Sequence, residues 1–390
     1  MKTLVYYGLG KSGEAAAARL AERGDEVVLV DRALGNEGEL GLLDGAGLLV
    51  KSPGAPPAAP IVRAARERGV PVWSEVELGY RLLPGARFVG VTGTNGKTTT
   101  TALLGAIFHA AGRDVAVAGN IGVPLTTVRA ADWVVCELSS FQLEDVHEFA
   151  CDVAVLLNLE PDHLDRYPSF EAYRDAKLRI FERARVKVVP RGSGFDGVEF
   201  AGDDPLPAEP LLRGAHNREN AAAAVAAARA AGIEDDAIAE ALSTFPGVAH
   251  RLELVGEVDG VRFVNDSKAT NVAAARKALE AYSAEPVHLI LGGSLKGEDF
   301  RPLAGAIGDN VHSVHLIGQA SDELAAALGF RAHWRDETLE AAVEHAVRLA
   351  SAGDVVLLSP ACASYDQFEN FERRGDEFRR LVTKLHPSRS

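Results

Sequence analysis

Short apolar runs alternate with alanine-rich helical stretches along almost the whole chain, and this alternation constrains the fold more than any other feature. A strand–helix–strand repeat lays successive strands parallel and packs the helices over the sheet faces, so the pattern predicts α/β architecture. Thr3–Tyr7, Glu26–Val30, Leu48–Lys51 and the run at Val72 read as strands. Helices are expected over Gly13–Arg23, Ile61–Arg68 and Glu75–Leu83, before a Pro84-Gly85 break. A second series runs through strands Phe88–Val91, Trp133–Glu137 and Val153–Asn158. Its helices are Thr98–Ala111, Phe170–Ala184, Arg218–Ala231 and Asp236–Phe245, with residues 190–210 left as loop or weak hairpin. After Pro246-Gly247, a hairpin over Arg251–Val264 turns at Asp259-Gly260, a dipeptide that favours two-residue hairpin loops. Strands Val287–Leu291, Val314–Ile317 and Val355–Leu358 follow, with a helix over Leu339–Leu349. The two breaks divide the chain into 1–85, 86–247 and 248–390, which suits 390 residues at about 100–200 per domain.

A net charge of −14 argues against non-specific affinity for nucleic acid or anionic membrane. An anionic ligand therefore needs a local pocket of cations and backbone N–H groups. No apolar run approaches the ~20 residues that span a bilayer. The first strand follows the N-terminus so closely that no signal peptide is expected. Cys136, Cys151 and Cys362 have neither metal-ligand spacing nor an even framework and read as reduced core thiols. The expectation is a cytoplasmic, soluble protein.

The run Val91-Thr-Gly-Thr-Asn-Gly-Lys-Thr98 lies between a strand and a helix, the setting of a P-loop. Successive N–H groups of Gly93, Thr94, Asn95, Gly96, Lys97, Thr98 and Thr99 converge on phosphate oxygens at the helix N-terminus. Lys97 then reaches the β- and γ-phosphates, and the Thr98 hydroxyl ligates Mg²⁺. Val91 replaces the first glycine of the strict pattern. This reads as an ATP site. A second glycine-rich turn, Gly8-Leu-Gly10-Lys-Ser-Gly13, follows the first strand, and Asp31 ends the next. It is compatible with a dinucleotide or another diphosphate, and equally with close helix–sheet packing.

Glu137 ends a strand beside the P-loop strand, where a parallel α/β enzyme places a Mg²⁺ ligand; a solvent-facing acid is the alternative. His163, in Asn158-Leu-Glu-Pro-Asp-His-Leu-Asp165, suits a second metal or a phosphate, while Asp162 and Asp165 also suit local capping. Tyr173, Lys177 and Phe181 recur every four residues, which puts Lys177 on the apolar helix face. Either the side chain snorkels to solvent, or burial lowers its pKa and the neutral amine can take up CO₂ as a carbamate.

Several blocks together resemble the Mur ligases of peptidoglycan synthesis: Thr92–Thr98, Gly119-Asn-Ile-Gly122, Glu137-Leu-Ser-Ser-Phe-Gln-Leu-Glu144 and Asp162-His-Leu-Asp-Arg-Tyr167. His216-Asn217, His250-Arg251, Asn265-Asp-Ser-Lys-Ala-Thr-Asn271, Ser359-Pro-Ala-Cys-Ala-Ser364 and Asp366-Gln-Phe-Glu-Asn-Phe371 extend the likeness over nearly the whole chain. The resemblance implies a Rossmann-like N-terminal domain that binds a UDP-sugar and a P-loop ATPase-like central domain. It also implies a Rossmann-like C-terminal domain that binds the amino acid and closes on ATP. It further implies ATP-driven addition of D-glutamate to UDP-N-acetylmuramoyl-L-alanine through an acyl phosphate, by a monomer, in the cytoplasm.

By the same resemblance, Thr98 and Glu137 hold one Mg²⁺, and His163 with carbamylated Lys177 serves a second. Asn217, Asn220, Arg251 and Asp266 hold ATP. Lys11, Ser12, Asp31, Arg32, Gly54, Asn120 and Ser139 face the UDP-sugar. Lys268, Thr270, Lys296, Ser364, Tyr365 and Phe371 form the D-glutamate pocket. The chain departs from the family pattern at Arg32-Ala33, where Thr-Arg is common, in a compact 190–210 stretch, and at Tyr365, where leucine is usual. A folylpolyglutamate synthase is the alternative ligase, but it would lack a nucleotide-sugar domain before the P-loop.

Overall fold

The computed structural model describes residues 1–385 other than 7, 57, 121, 165, 213, 296 and 330. The chain divides into two compact units: Met1–Leu211 with Ala215–Phe245, and Leu212–Gly214 with the chain from Pro246 onward. Among the described residues no helix is long and apolar enough to cross a membrane.

The first unit holds two parallel sheets. Strands β1 (Lys2–Tyr6), β2 (Glu26–Val30), β3 (Leu48–Lys51) and β4 (Val72–Ser74) stand in the order β2-β1-β3-β4. Helices α1 (Lys11–Glu22), α2 (Pro60–Glu67) and α3 (Glu75–Arg81) accompany them. The second sheet comprises β5 (Arg87–Thr92), β6 (Val115–Gly119), β7 (Trp133–Glu137), β8 (Val153–Leu156), β9 (Val186–Pro190) and β10 (Val198–Phe200), ordered β10-β9-β8-β5-β7-β6. Its helices are α4 (Lys97–Ala110), α5 (Ser140–Leu143), α6 (Phe170–Leu178), α7 (Ala215–Ala230) and α8 (Asp235–Thr244).

The central strands of this sheet are buried on both faces, as parallel strands covered by helices must be. Val89 and Val91 of β5, Val135 of β7 and Val155 of β8 pack with Leu104, Phe108, Ala224 and Leu242. Their neighbours Phe88, Val134, Cys136 and Ala154 pack on the opposite face with Val76, Leu125, Phe149 and Ile180. All three cysteines are buried thiols, as expected.

A polar seam joins the two sheets of this unit. The fully buried Lys51 ammonium contacts Asp145 Oδ2 at 2.6 Å and Glu144 Oε2 at 3.0 Å. Glu77 accepts the backbone N–H groups of His147 (2.8 Å), Glu148 and Phe149. Burial opposes its charge, but these donors and Arg81 hold its pKa below the usual carboxylate value. Glu75 accepts both the N–H and the hydroxyl of Thr126 at 2.7 Å.

The second unit is one mixed sheet. Strands β11 (Glu253–Val258), β12 (Val261–Asn265), β13 (Val287–Gly292), β14 (Val311–Ile317), β15 (Trp334–Glu337) and β16 (Val355–Leu358) are ordered β11-β12-β16-β13-β14-β15. The β11–β12 pair is antiparallel and the other pairings are parallel. Asp259 and Gly260 both take positive φ (50° and 78°), as a two-residue hairpin of this hand requires. The helices are α9 (Val272–Ala281), α10 (Arg301–Ala304), α11 (Ser321–Leu328), α12 (Leu339–Leu349) and α13 (Phe371–Leu385).

Two expectations differ from the structure. The 190–210 stretch adds β10 parallel to β9 rather than forming a hairpin, with Gly192 and Gly194 at positive φ in the connection. The helix expected to Ala184 ends at Leu178 and tightens into a 3₁₀ turn at Arg179–Phe181, a common way for a last turn to close.

Candidate active site

Strand order decides which side chains can meet at the P-loop. Strand β5 lies between β7 and β8, and in a parallel sheet all three release their chains at the same edge. The loop from Gly93 to Gly96 leaves β5, Glu137 ends β7, and Asn158 follows β8.

The loop is held from the β8 side. Asn95 N–H donates to Asn158 Oδ1 at 2.8 Å, Thr94 N–H to Asn158 O at 3.1 Å, and the Asn95 amide to Glu160 Oε2 at 2.9 Å. Thr94 Oγ1 and Tyr173 Oη stand 3.1 Å apart. Gly96 takes φ +82°, and a Cβ there would lie 2.1 Å from Asn220 Oδ1. Only glycine meets both demands. Asn217 and Asn220, both buried on α7, thus belong to the same unit as the P-loop, and Asn220 sits directly against it.

Glu137 is buried and takes two donors: the Thr98 hydroxyl on Oε2 and the Asn120 amide on Oε1, each at 3.0 Å. Register explains the second, because Gly119 of β6 pairs with Glu137 and Asn120 follows immediately. A hydroxyl and a carboxylate side by side form a hard-oxygen donor pair of the kind Mg²⁺ prefers.

Lys177 is buried at 2% exposure, so it does not snorkel. Its Nζ donates to Gly93 O at 2.8 Å, and Lys97 Nζ donates to the same carbonyl at 2.9 Å and to Thr94 O at 2.9 Å. Burial first, and the neighbouring Lys97 charge second, pull the Lys177 pKa down to about 7. Its ammonium also lies 4.7 Å from the Tyr173 ring.

His163 adopts φ 52° in the loop after β8. It is half-exposed, with its ring 4.8 Å from Phe141 and 6.2 Å from Tyr173. The four residues expected to do the chemistry, Lys97, Glu137, His163 and Lys177, therefore share one unit, all on or beside the P-loop and the loop that follows β8.

The residues expected to face a UDP-sugar are more dispersed. Lys11 and Ser12 open α1, and Gly54 is exposed after β3. Asp31 accepts Leu9 N–H at 3.2 Å and Ala33 N–H at 2.9 Å, which ties the first glycine-rich turn to the end of β2; Arg32 beside it is exposed. Ser139 caps α5 in a reciprocal box with Gln142, and the Asn120 amide lies on Glu137.

In the second unit, Asp266 follows β12 and is buried. It accepts the Ser359 hydroxyl at 2.7 Å and Leu252 N–H at 3.2 Å. Burial raises its pKa to about 7 despite these donors and the Arg251 and Arg374 charges. Lys268 Nζ lies 5.7 Å from the Phe371 ring. Ser364 is buried, Thr270 is half-buried, and Tyr365 is 70% exposed. Lys296 lies outside the described residues.

Sequence reasoning missed Arg374. It is 1% exposed, and its guanidinium donates to Ser267 Oγ, Ser267 O, Cys362 O, Ala363 O and Gly292 O at 2.9–3.3 Å. It thereby gathers the loops after β12, β13 and β16. An arginine in a charged helical stretch gives no sequence signal of this. It also missed Glu144, which accepts Lys51, Arg166 and the Tyr167 hydroxyl.

Comparison with known proteins identifies the family. Residues 91–195 match the Mur ligase middle domain, and residues 250–362 match the Mur ligase glutamate ligase domain. The chain belongs to the Mur ligase family and is a ligase of that family. Among curated relatives, the UDP-N-acetylmuramoylalanine–D-glutamate ligase of Anaeromyxobacter dehalogenans is 43% identical, covering 97% of this chain and 96% of the relative. Enzymes of the same name from Acidobacterium capsulatum and Geobacillus kaustophilus are 42% and 40% identical, each covering 98% of this chain and 96% and 98% of their own. Among solved structures, a UDP-N-acetylmuramate–alanine ligase from Thermotoga maritima aligns with a TM-score of 0.64 at 19% identity, covering 98% of this chain and 99% of that one. A Yersinia pestis folylpolyglutamate synthase/dihydrofolate synthase complexed with AMPPNP and Mn aligns with a TM-score of 0.56 at 19% identity. It covers 80% of this chain and 92% of its own.

Proposed function

We propose that this ligase adds D-glutamate to UDP-N-acetylmuramoyl-L-alanine at the expense of ATP, in the cytoplasm, as a monomer. The observation that carries the nucleotide chemistry is the convergence of Lys97, Thr98, Glu137 and Lys177 on one P-loop. The substrate assignment rests on the relatives of 40–43% identity that cover nearly the whole chain.

Three domains divide the work: a Rossmann-like 1–85 for the UDP-sugar, a P-loop ATPase-like 86–247 for ATP, and a Rossmann-like 248–390 for the amino acid. The N–H groups from Gly93 to Thr99 cradle the phosphates, and Lys97 places its charge on the β- and γ-phosphates. Asn217, Asn220, Arg251 and Asp266 contact the nucleotide. Lys11, Ser12, Asp31, Arg32, Gly54, Asn120 and Ser139 serve the UDP-sugar. Lys268, Thr270, Lys296, Ser364, Tyr365 and Phe371 serve D-glutamate.

Thr98 and Glu137 would hold one Mg²⁺, and their 3.0 Å hydroxyl–carboxylate pair fits an oxygen-liganded ion. His163 and Lys177 would serve a second. A lysine whose pKa is lowered to about 7 fits carbamylation, in which the neutral amine adds CO₂ and releases a proton. When bound, the ions neutralise charge on the transferring phosphoryl group.

The alanyl carboxylate attacks the γ-phosphorus, the bond to the β-phosphate oxygen breaks, and ADP leaves. The D-glutamate amine then attacks the acyl phosphate, loses a proton, and phosphate departs from the tetrahedral intermediate. The fixed N–H groups and Lys97 favour the spread of charge over the phosphoryl oxygens because they are oriented before the reaction begins.

The test is phosphate release from Mg·ATP with UDP-N-acetylmuramoyl-L-alanine, offering D-glutamate, L-glutamate and L-alanine in parallel. Release that needs both the nucleotide sugar and D-glutamate is the expected result. Turnover with a different amino acid would overturn the substrate assignment and leave the ligase chemistry standing.

A further inference from the structure

We propose that the second unit carries a zinc site formed by His288, His312 and Asp354, at the sheet edge opposite the loops of Asp266 and Ser359. His288 is the second residue of β13, and Asp354 immediately precedes β16, the neighbouring strand. His288 Nε2 and Asp354 Oδ2 stand 3.1 Å apart. Two ligand atoms each about 2.0–2.1 Å from a tetrahedral zinc ion lie about 3.3 Å apart, so this pair needs almost no adjustment to share one ion.

Backbone irregularity brings the third ligand. Val287 pairs with Val311, but His288 pairs with Ser313, so His312 is an extra residue in β14. A bulge of this kind re-aims a side chain that regular alternation would send elsewhere. The His312 ring stands edge-on to that of His288, with centroids 6.2 Å apart. One ligand atom from each of the three residues falls within 4.8 Å of the others, and exposed His312 has room to close the remainder.

Both inner ligands are already held by hydrogen bonds. His288 Nδ1 meets the Ser313 hydroxyl at 2.7 Å, which fixes the ring and leaves Nε2 facing the site. Asp354 Oδ2 also accepts Ser351 N–H at 2.8 Å. Supporting hydrogen bonds of this type set ligand orientation and basicity in metal sites. Two imidazoles and one carboxylate match a three-ligand zinc centre with one position open to water.

A second cluster, His315, Asp336 and His345, is less suited. Both Asp336 oxygens are taken by imidazole nitrogens, at 2.6 and 2.9 Å, and Trp334 packs on both rings. It has no exposed ligand comparable to His312 that could move to complete a coordination shell. From His288 to Gly292 at the far end of β13 is about 13 Å at ~3.3 Å per residue, so the proposed ion would brace β13, β14 and β16 without touching substrate.

The test is Zn²⁺ titration of the tag-free, Mg²⁺-saturated full-length protein against a chromophoric chelator, with native mass spectrometry for stoichiometry. The expected result is one tight equivalent. It should be lost in His312→Ala, which changes only an exposed side chain, and weakened about 10–100-fold in Ser313→Ala. Absorption of the Co²⁺-substituted protein in the tetrahedral ligand-field region should disappear with the same variants. Wild-type affinity no greater than that of His312→Ala, or binding that instead depends on His345 or His163, would overturn the assignment.

Discussion

Lys177 shows how burial changes the proton affinity of a single side chain. Its spacing from Tyr173 placed it on the apolar face of α6, and the structure buries it there. What the sequence could not supply is its partner, Gly93 O, 84 residues away and shared with Lys97. Lys177→Ala is expected to lower turnover by about a hundredfold or more while leaving ATP binding measurable. A short carboxylate such as acetate should restore part of the rate, and no restoration would remove the carbamate from the mechanism.

Asp266 makes a separate prediction from its raised pKa of about 7. Between about pH 4 and 7 the folded state holds a proton there that the unfolded chain has released. The contribution of Asp266 to stability therefore falls as pH rises through that window. Asp266→Asn should flatten the decline, read as denaturant midpoints across the range. An unchanged slope would mean that the carboxyl is ionised in the folded protein.

Elements were legible where their period was strong. Trp133–Glu137, Leu339–Leu349 and Val355–Leu358 have the limits the sequence suggested. Strand β10 was not legible, because three residues after a glycine-rich turn carry too little pattern to separate pairing from loop. The glycine-rich loop itself was plain in sequence. Its clamp was not, because Asn158, Glu160 and Asn220 come from two other segments.

That clamp can be tested at Gly96. Gly96→Ala places a methyl group 2.1 Å from Asn220 Oδ1 and forces φ +82° on an L side chain. The expected loss is about 1–3 kcal/mol of stability, with a larger loss of ATP affinity, measured by thermal unfolding and calorimetric titration. Adding Asn220→Ala relieves the contact but not the backbone strain, so the double variant should recover only part. Full recovery would show that the backbone term is negligible.

At the scale of the molecule, the two compact units have different internal supports. The second depends on Arg374, whose removal would take the guanidinium donor from the carbonyls of Gly292 and Cys362, while Ala363 O would keep the Ser294 N–H. Arg374→Met should destabilise that unit by on the order of 3 kcal/mol or more. In hydrogen exchange, protection should fall in β12, β13 and β16 while the strands around the P-loop keep theirs. A uniform loss over the whole chain would contradict independent support. The α/β class and the candidate nucleotide site were visible from alternation and one motif. The Arg374 hub was not, since nothing in local sequence marks which surface-type residue will be enclosed.

The seam within the first unit bears on how such enzymes can be recombined. Lys51 ends β3 of the first sheet and Glu77 lies on α3, whereas Asp145 and the N–H groups of His147, Glu148 and Phe149 lie in the connection between β7 and β8 of the second. A chimaera that exchanged only the first ~85 residues with a relative differing at these positions would enclose a cation or a carboxylate opposite an unmatched surface. A graft that also carried the donor's own segment from Glu144 to Phe149 would keep each charge with its counterpart. The natural crossover point for shuffling this chain is therefore a pair of segments distant in sequence, not the Pro84-Gly85 turn alone.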